Sequence, residues 1–277
     1  MALIVMAARR ALLVQLPLML ACSCQPGAVT DLEPPPDRAP RPDELERARA
    51  VHLFFAHQSV GQNILNGVAQ LSAQRIKTTP LLALHPNEPL PGWVDLTAGQ
   101  NGDPEGKIEA FVAAFERHPT FRPDLALLKF CFVDFQPATD VEQLFHHYER
   151  ALRELEARHP ETVFGHVTVP LTVYPTELKW RAFRLLGRGV WEDEANIRRA
   201  EFNQRLRSAF SADPIFDLSG AESLGPDGRR SLFEHAGQRY PALEPRYAED
   251  EGHLNALGQQ VVGTAFLRFV AQASARD

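Results

Sequence analysis

The chain has 277 residues, 44% hydrophobic and 23% charged, with a formal net charge of -6. These are the proportions of a soluble globular protein with room for one sizeable core. Lys and Arg are scattered, with no basic stretch beyond pairs such as Arg198–Arg199 and Arg229–Arg230, which argues against a nucleic-acid partner.

In chain order, the first feature is a leader. Arg9 and Arg10 precede an apolar run from Ala11 to Ala21, shorter than the ~20 residues a membrane span needs. A charged start, a short apolar run and small residues together read as a secretory signal. The run ends in Met19-Leu20-Ala21-Cys22, similar to the lipobox of bacterial lipoproteins, in which the cysteine carries a lipid. On that resemblance Cys22 is the lipidation candidate and the partner is a membrane; an ordinary cleaved signal peptide is the alternative. The sequence therefore divides into a leader over 1–24, a Pro-rich linker over 25–45 and a domain over 46–277. The linker holds Pro34-Pro35-Pro36, Pro40 and Pro42, a composition that favours extended chain. Only Cys131 falls in the domain, which excludes an intradomain disulfide.

Short apolar runs then alternate with helical patterns. Strands are expected at His52–His57, Leu81–Leu84, Leu125–Val133, Val163–Val169 and Ile215–Asp217. Helices are expected at about 60–73, 104–117, 140–158, 193–210 and 256–273. The helix at 104 has Pro104 in its first turn and Asp103 as its N-cap. Strands separated by helices indicate an α/β fold of three layers, α/β/α, with a parallel flavodoxin-like sheet. Ligands of such sheets bind beyond the carboxyl ends of the strands, so the loops after 57, 133, 169 and 217 are the places to look for chemistry.

The first of these loops reads His57-Gln58-Ser59-Val60-Gly61. Ser59, at a strand-to-helix junction, suits a nucleophile near the positive end of a helix, and equally suits a helix cap. Near the end, Asp250-Glu251-Gly252-His253-Leu254-Asn255 precedes the last helix. A serine hydroxyl needs an imidazole to take its proton, and the imidazole needs a carboxylate to orient it. Asp-x-x-His supplies both on one loop.

An early Ser, a late Asp-x-x-His before a C-terminal helix, and Asn101-Gly102-Asp103 between them resemble the SGNH (GDSL-like) hydrolase superfamily over roughly residues 50–273. The resemblance implies the SGNH hydrolase fold, Ser59, Asp250 and His253 as catalytic residues, and the backbone N–H groups of Ser59 and Gly102 as the oxyanion hole. It implies no metal and no cofactor. The sequence departs from the family in two places. His57-Gln58-Ser59 stands where Gly-Asp-Ser is usual, and Lys129 to Phe135 lacks the Asn that supplies a further oxyanion donor. An ionised Asp134 cannot donate in place of that Asn, so Lys129, Asn63, Asn101 and water are the candidate donors among which the sequence does not choose, and Asp134 reads as orienting another polar group or as purely structural.

Asp217 and Glu222 read as loop caps or as support for the site. His146 and His147, adjacent on a helix, point apart and do not suggest a metal pair. Cys131 reads as a small buried hydrophobe. Tyr174, Trp180, Arg181 and Trp191, in the long segment after the Val163 strand, suit a lid or a substrate wall and equally suit the ordinary packing of a long loop. The implied function is hydrolysis of a carboxylic ester, of a small molecule or a glycan, by an exported or envelope-held enzyme. An acyltransferase acting on envelope glycans and a non-catalytic binding lipoprotein are the alternatives.

Overall fold

A strand buried on both faces reads as an unbroken apolar run, and β1 (Leu53–His57) is one: all five residues are buried. The computed structural model describes residues 39–85 and 91–273, which lie in one compact unit. Cys22, the leader and most of the Pro-rich stretch lie outside the described residues. The further strands of the main sheet are β2 (Thr78–Pro80), β3 (Trp93–Thr97), β4 (Leu125–Leu128), β5 (Val163–Val167) and β6 (Ile215–Phe216). All pair in parallel, in the order β2-β3-β1-β4-β5-β6. The helices are α1 (Pro42–Ala50), α2 (Ser59–Leu71), α3 (Pro104–Arg117), α4 (Val141–Arg158), α5 (Leu178–Leu185), α6 (Trp191–Ala209), α7 (Leu218–Ser223) and α8 (Ala256–Ala273). A small antiparallel hairpin, β7 (Leu232–His235) with β8 (Gln238–Pro241), stands apart from the main sheet.

Side chains alternate across a strand, so β1 feeds two cores. Leu53 and Phe55 join residues of α1, α2 and α8 on one face. Phe54 and Ala56 join residues of α3, α4 and α6 on the other. The result is the expected three-layer α/β/α arrangement around a parallel sheet. The helix over 104–117 has the anticipated bounds, and Asp103 caps it by accepting from the Gly106 N–H at 2.9 Å.

Several expected elements shift. The strand expected at Leu81–Leu84 is a 3-10 turn over Leu81–Ala83, and the strand is Thr78–Pro80 just before it. Of that apolar group only Leu81 is buried, whereas Leu82 is 88% exposed. β3 was not anticipated, and β4 stops at Leu128 rather than Val133. A second 3-10 turn, Phe132–Asp134, follows it because the Asp134 carboxylate accepts from the Cys131 N–H at 2.6 Å. The body also begins earlier than residue 46: α1 opens at Pro42 and buries Leu45 and Ala48 in the α8-side core.

The closest helix packing joins α2 to α8. A Cβ on Gly67 would stand 2.0 Å from the Gln259 carbonyl oxygen, and one on Gly263 would stand 3.0 Å from the Gly67 backbone. Two helix backbones thus meet through glycine where any side chain would force them apart.

Candidate active site

β1 ends at His57 and α2 begins at Ser59, so Ser59 lies at the carboxyl edge of the central strand. Gln58 rather than Ser59 is the N-cap of α2. Its side chain turns aside and donates to the Ala98 and Gly99 carbonyls, both at 2.8 Å, and the Ser59 hydroxyl has another partner. The first bond of the helical ladder is Gln62 N–H to Gln58 C=O. The N–H groups of Ser59, Val60 and Gly61 precede that ladder, at the positive end of the helix dipole.

The partner of the Ser59 hydroxyl is His253, whose Nε2 is 2.8 Å from Ser59 Oγ. Its Nδ1 is 2.6 Å from Asp250 Oδ2. Since a carboxylate only accepts, Nδ1 carries the proton, and the Nε2 lone pair faces the serine hydroxyl. The loop secures its own carboxylate. Asp250 Oδ1 accepts from the N–H groups of Gly252 at 2.9 Å and His253 at 2.7 Å. Partial burial works to raise the Asp250 carboxyl, but these two N–H groups and the imidazole outweigh it and hold it below the usual carboxylate range. The Phe132 ring meets the His253 ring edge to face at 5.4 Å. Asn63 on α2 accepts from the Leu254 N–H at 3.1 Å, tying the helix of Ser59 to the loop of His253. Asn63 thus anchors the loop through its side-chain oxygen.

The other expected site residues are arranged differently. Gly102 sits in a turn at φ +83°, a conformation suited to glycine. Its N–H donates to Asp134 Oδ1 at 2.9 Å, so it is engaged rather than open to an oxyanion. Asp134 is buried and gathers four bonds: from Gly102, from Cys131 and, through both oxygens at 2.6 Å, from the Lys107 ammonium. Lys129 is fully buried and donates to the Phe130 carbonyl at 3.0 Å, so its ammonium points into the body; burial lowers its pKa. Asn101 Oδ1 accepts a 3.4 Å contact from Lys107, leaving the NH2 end of the amide as a donor. Asp217 caps α7, accepting from the Gly220 N–H at 3.1 Å. Cys131 is buried and free.

Three buried charged residues, Lys107, Arg199 and Glu222, carry the scaffold behind Ser59, His253 and Asp250. Lys107 lies on the buried stripe of α3 with Phe111 and Ala114, and Arg199 lies on that of α6 with Asn196, Phe202 and Asn203. The signal for both was present in the sequence as a cation at a core position of a helical repeat. Arg199 donates to the Phe132 carbonyl at 3.1 Å, to Thr172 Oγ1 and to Asn196 Oδ1. It thereby pins the turn whose ring rests on His253. Burial draws its pKa down to about 9, against the opposing pull of nearby Glu222 and Glu192. Glu222 accepts from the Leu171 N–H at 2.8 Å, and burial pushes its carboxyl up to about 8.

No family model matches the chain, and no curated protein does. Solved structures match loosely. One, described as a candidate platelet activating factor from Streptococcus pneumonia, is 14% identical with a TM-score of 0.46, covering 82% of this chain and 91% of that one. The C-terminal domain of the Drosophila Oskar protein is 14% identical with a TM-score of 0.35, covering 57% and 67%. A candidate lipase from Chitinophaga pinensis DSM 2588 is 12% identical with a TM-score of 0.37, covering 78% and 96%. At such scores these likenesses carry no weight for function.

Proposed function

We propose that this chain is a serine hydrolase of the SGNH type that cleaves carboxylic esters. One observation carries the reading: His253 stands between Ser59 Oγ at 2.8 Å and the Asp250 carboxylate at 2.6 Å, in the tautomer that accepts from serine. In this mechanism Ser59 attacks the acyl carbon as its proton passes to His253 Nε2, and Asp250 stabilises the imidazolium. His253 returns the proton to the departing alcohol, leaving an acyl group on Ser59. Water, deprotonated by the same imidazole, releases the acid. The N–H groups opening α2 are the proposed donors to the negative charge that develops on the carbonyl oxygen, and the NH2 end of the Asn101 amide is proposed as a further one. We extend the proposal to location: the leader exports the chain, and Cys22 holds it to a membrane.

Two observations favour a second reading, a binding protein that keeps the fold without the chemistry: Gly102 is occupied by Asp134, and no Asn lies between Lys129 and Phe135. A fluorophosphonate probe separates the two. Hydrolysis predicts labelling of the folded chain that Ser59→Ala abolishes, with turnover of p-nitrophenyl acetate falling by ~10³-fold or more in that variant. A folded chain that takes no label and cleaves no ester favours the binding protein.

A further inference from the structure

Helix α5 is amphipathic with its apolar stripe turned outward. Trp180, Phe183 and Arg184 are half-buried, and Arg184 holds the helix to the body. Its guanidinium pairs with Asp193, donates to the Pro175 carbonyl and lies 3.9 Å over the Tyr174 ring. Leu178, Ala182, Leu185 and Leu186 recur at the spacing of one helical face. That face is open: Leu178 is 83% exposed, Leu185 89% and Leu186 70%. Lys179, Arg181 and Arg188 border it, all exposed. Among the described residues no carboxylate lies within ion-pair distance of any of the three, and Glu177 is the one acid at the start of the helix.

We infer that α5 and the turn after it form a docking surface for an anionic lipid membrane. Leucine and tryptophan beside lysine and arginine are the composition of helices that lie in the lipid interface. The positive border is local to a chain whose net charge is -6, so it is complementary to anionic headgroups and opposite in sign to the rest of the molecule. Among the described residues no helix is long and apolar enough to cross a membrane, so the contact lies in the interface plane. A second copy meeting the stripe across a two-fold axis brings the same cations face to face, which disfavours a symmetric dimer through α5.

The surface lies on the edge of the sheet that carries Ser59. β1 and β5 run parallel through β4, and α5 follows the carboxyl end of β5 as Ser59 follows that of β1. Tyr174, under Arg184, adjoins Val173, whose N–H donates to the Glu251 carbonyl within the Asp250–His253 loop at 2.9 Å. A chain bound through α5 turns its triad edge toward the bilayer.

The test is sedimentation of the 277-residue chain with phosphatidylcholine vesicles, with and without 30% phosphatidylserine (about one anionic lipid in three). The wild-type chain is expected to sediment with the anionic vesicles and less with the neutral ones. K179E/R181E/R188E and, separately, L178S/L185S/L186S are expected to lose about tenfold or more in binding, while circular dichroism shows them folded. All compared chains carry Cys22→Ser, so no lipid is attached there, and the neutral vesicles report any binding through the leader itself. Ser59→Ala is expected to bind as the wild type does, which separates docking from the proposed chemistry. Equal sedimentation of both triple variants and the wild type overturns the inference, as does absence of wild-type binding. A concentration-dependent dimer that L178S/L185S/L186S abolishes, without vesicle binding, overturns it and assigns the face to a second copy.

Discussion

Replacing Asp134 by Ala removes the acceptor for three donors at once: the Lys107 ammonium and the Gly102 and Cys131 N–H groups. Both side chains of the ion pair are 0% exposed, so water cannot take over for Lys107 without opening the structure. Breaking a buried pair by deleting one partner costs about 3–5 kcal/mol. The orphaned N–H of buried Cys131 adds about 1–3 kcal/mol, whereas exposed Gly102 regains water. A total of about 5 kcal/mol is expected, comparable to the whole stability of a marginal domain at ~5–15 kcal/mol. Urea unfolding followed by tryptophan fluorescence measures it as a shift in midpoint at unchanged slope. The double variant Lys107→Met/Asp134→Leu removes both charges and is expected to recover more than half of the loss, because apolar replacement of a buried pair is often neutral. A loss below ~1 kcal/mol in the single variant, or no recovery in the double, would refute the claim that an uncompensated Lys107 dominates.

Three further outcomes are expected. Burial draws His57 down to about 4, with the bond to the Gln58 carbonyl opposing, and draws His166 down to about 3. The unfolded chain takes up these protons below pH ~6.5 while the folded chain does not, so stability is full above that pH and falls as pH drops toward 4, by up to about 3 kcal/mol from His57. His57→Asn keeps a donor to Gln58 and is expected to flatten urea midpoints between pH 6.5 and 4; an unchanged slope there contradicts this. Gly67→Ala forces α2 from α8 and is expected to cost about 1–3 kcal/mol and to lower ester kcat by displacing His253 from Ser59. A variant with wild-type melting and turnover shows that the contact is not limiting. Asn101→Ala is expected to reduce ester kcat by about 10²-fold with KM little changed, as for loss of one oxyanion donor; an unchanged kcat removes Asn101 from the site.

The hydrogen-bonded trio Ser59, His253 and Asp250 was legible because each residue lies beside a structural signal that sequence reports well. Ser59 closely follows a buried strand with four apolar residues in a row, and Asp250 and His253 share one loop before a long apolar helix. Asp103 and Pro104 marked the start of α3 because caps are local. What stayed hidden depends on the fold around it. Lys107 and Arg199 occupy core positions, yet their acceptors, Asp134 and the Phe132 carbonyl, lie 27 and 67 residues away. The occupation of Gly102 by Asp134 required the same long-range pairing. α5 escaped because none of its residues is buried, so its periodicity belongs to no core. α1 escaped because only Leu45 and Ala48 anchor it among Pro, Arg, Asp and Glu.

The glycine contact between α2 and α8 also bears on when the hydroxyl of Ser59 becomes reactive. Ser59 and His253 are 194 residues apart, and translation delivers them in that order. Closing so long a loop adds little to the entropic cost, which grows only with the logarithm of length, but such distant pairings form late and slowly. On the proposed mechanism, Ser59 lacks its base until the loop that opens α8 brings His253 to it. The proposed mechanism therefore predicts that a chain clipped before His253 takes no fluorophosphonate label, and that labelling during refolding appears only once His253 has reached Ser59.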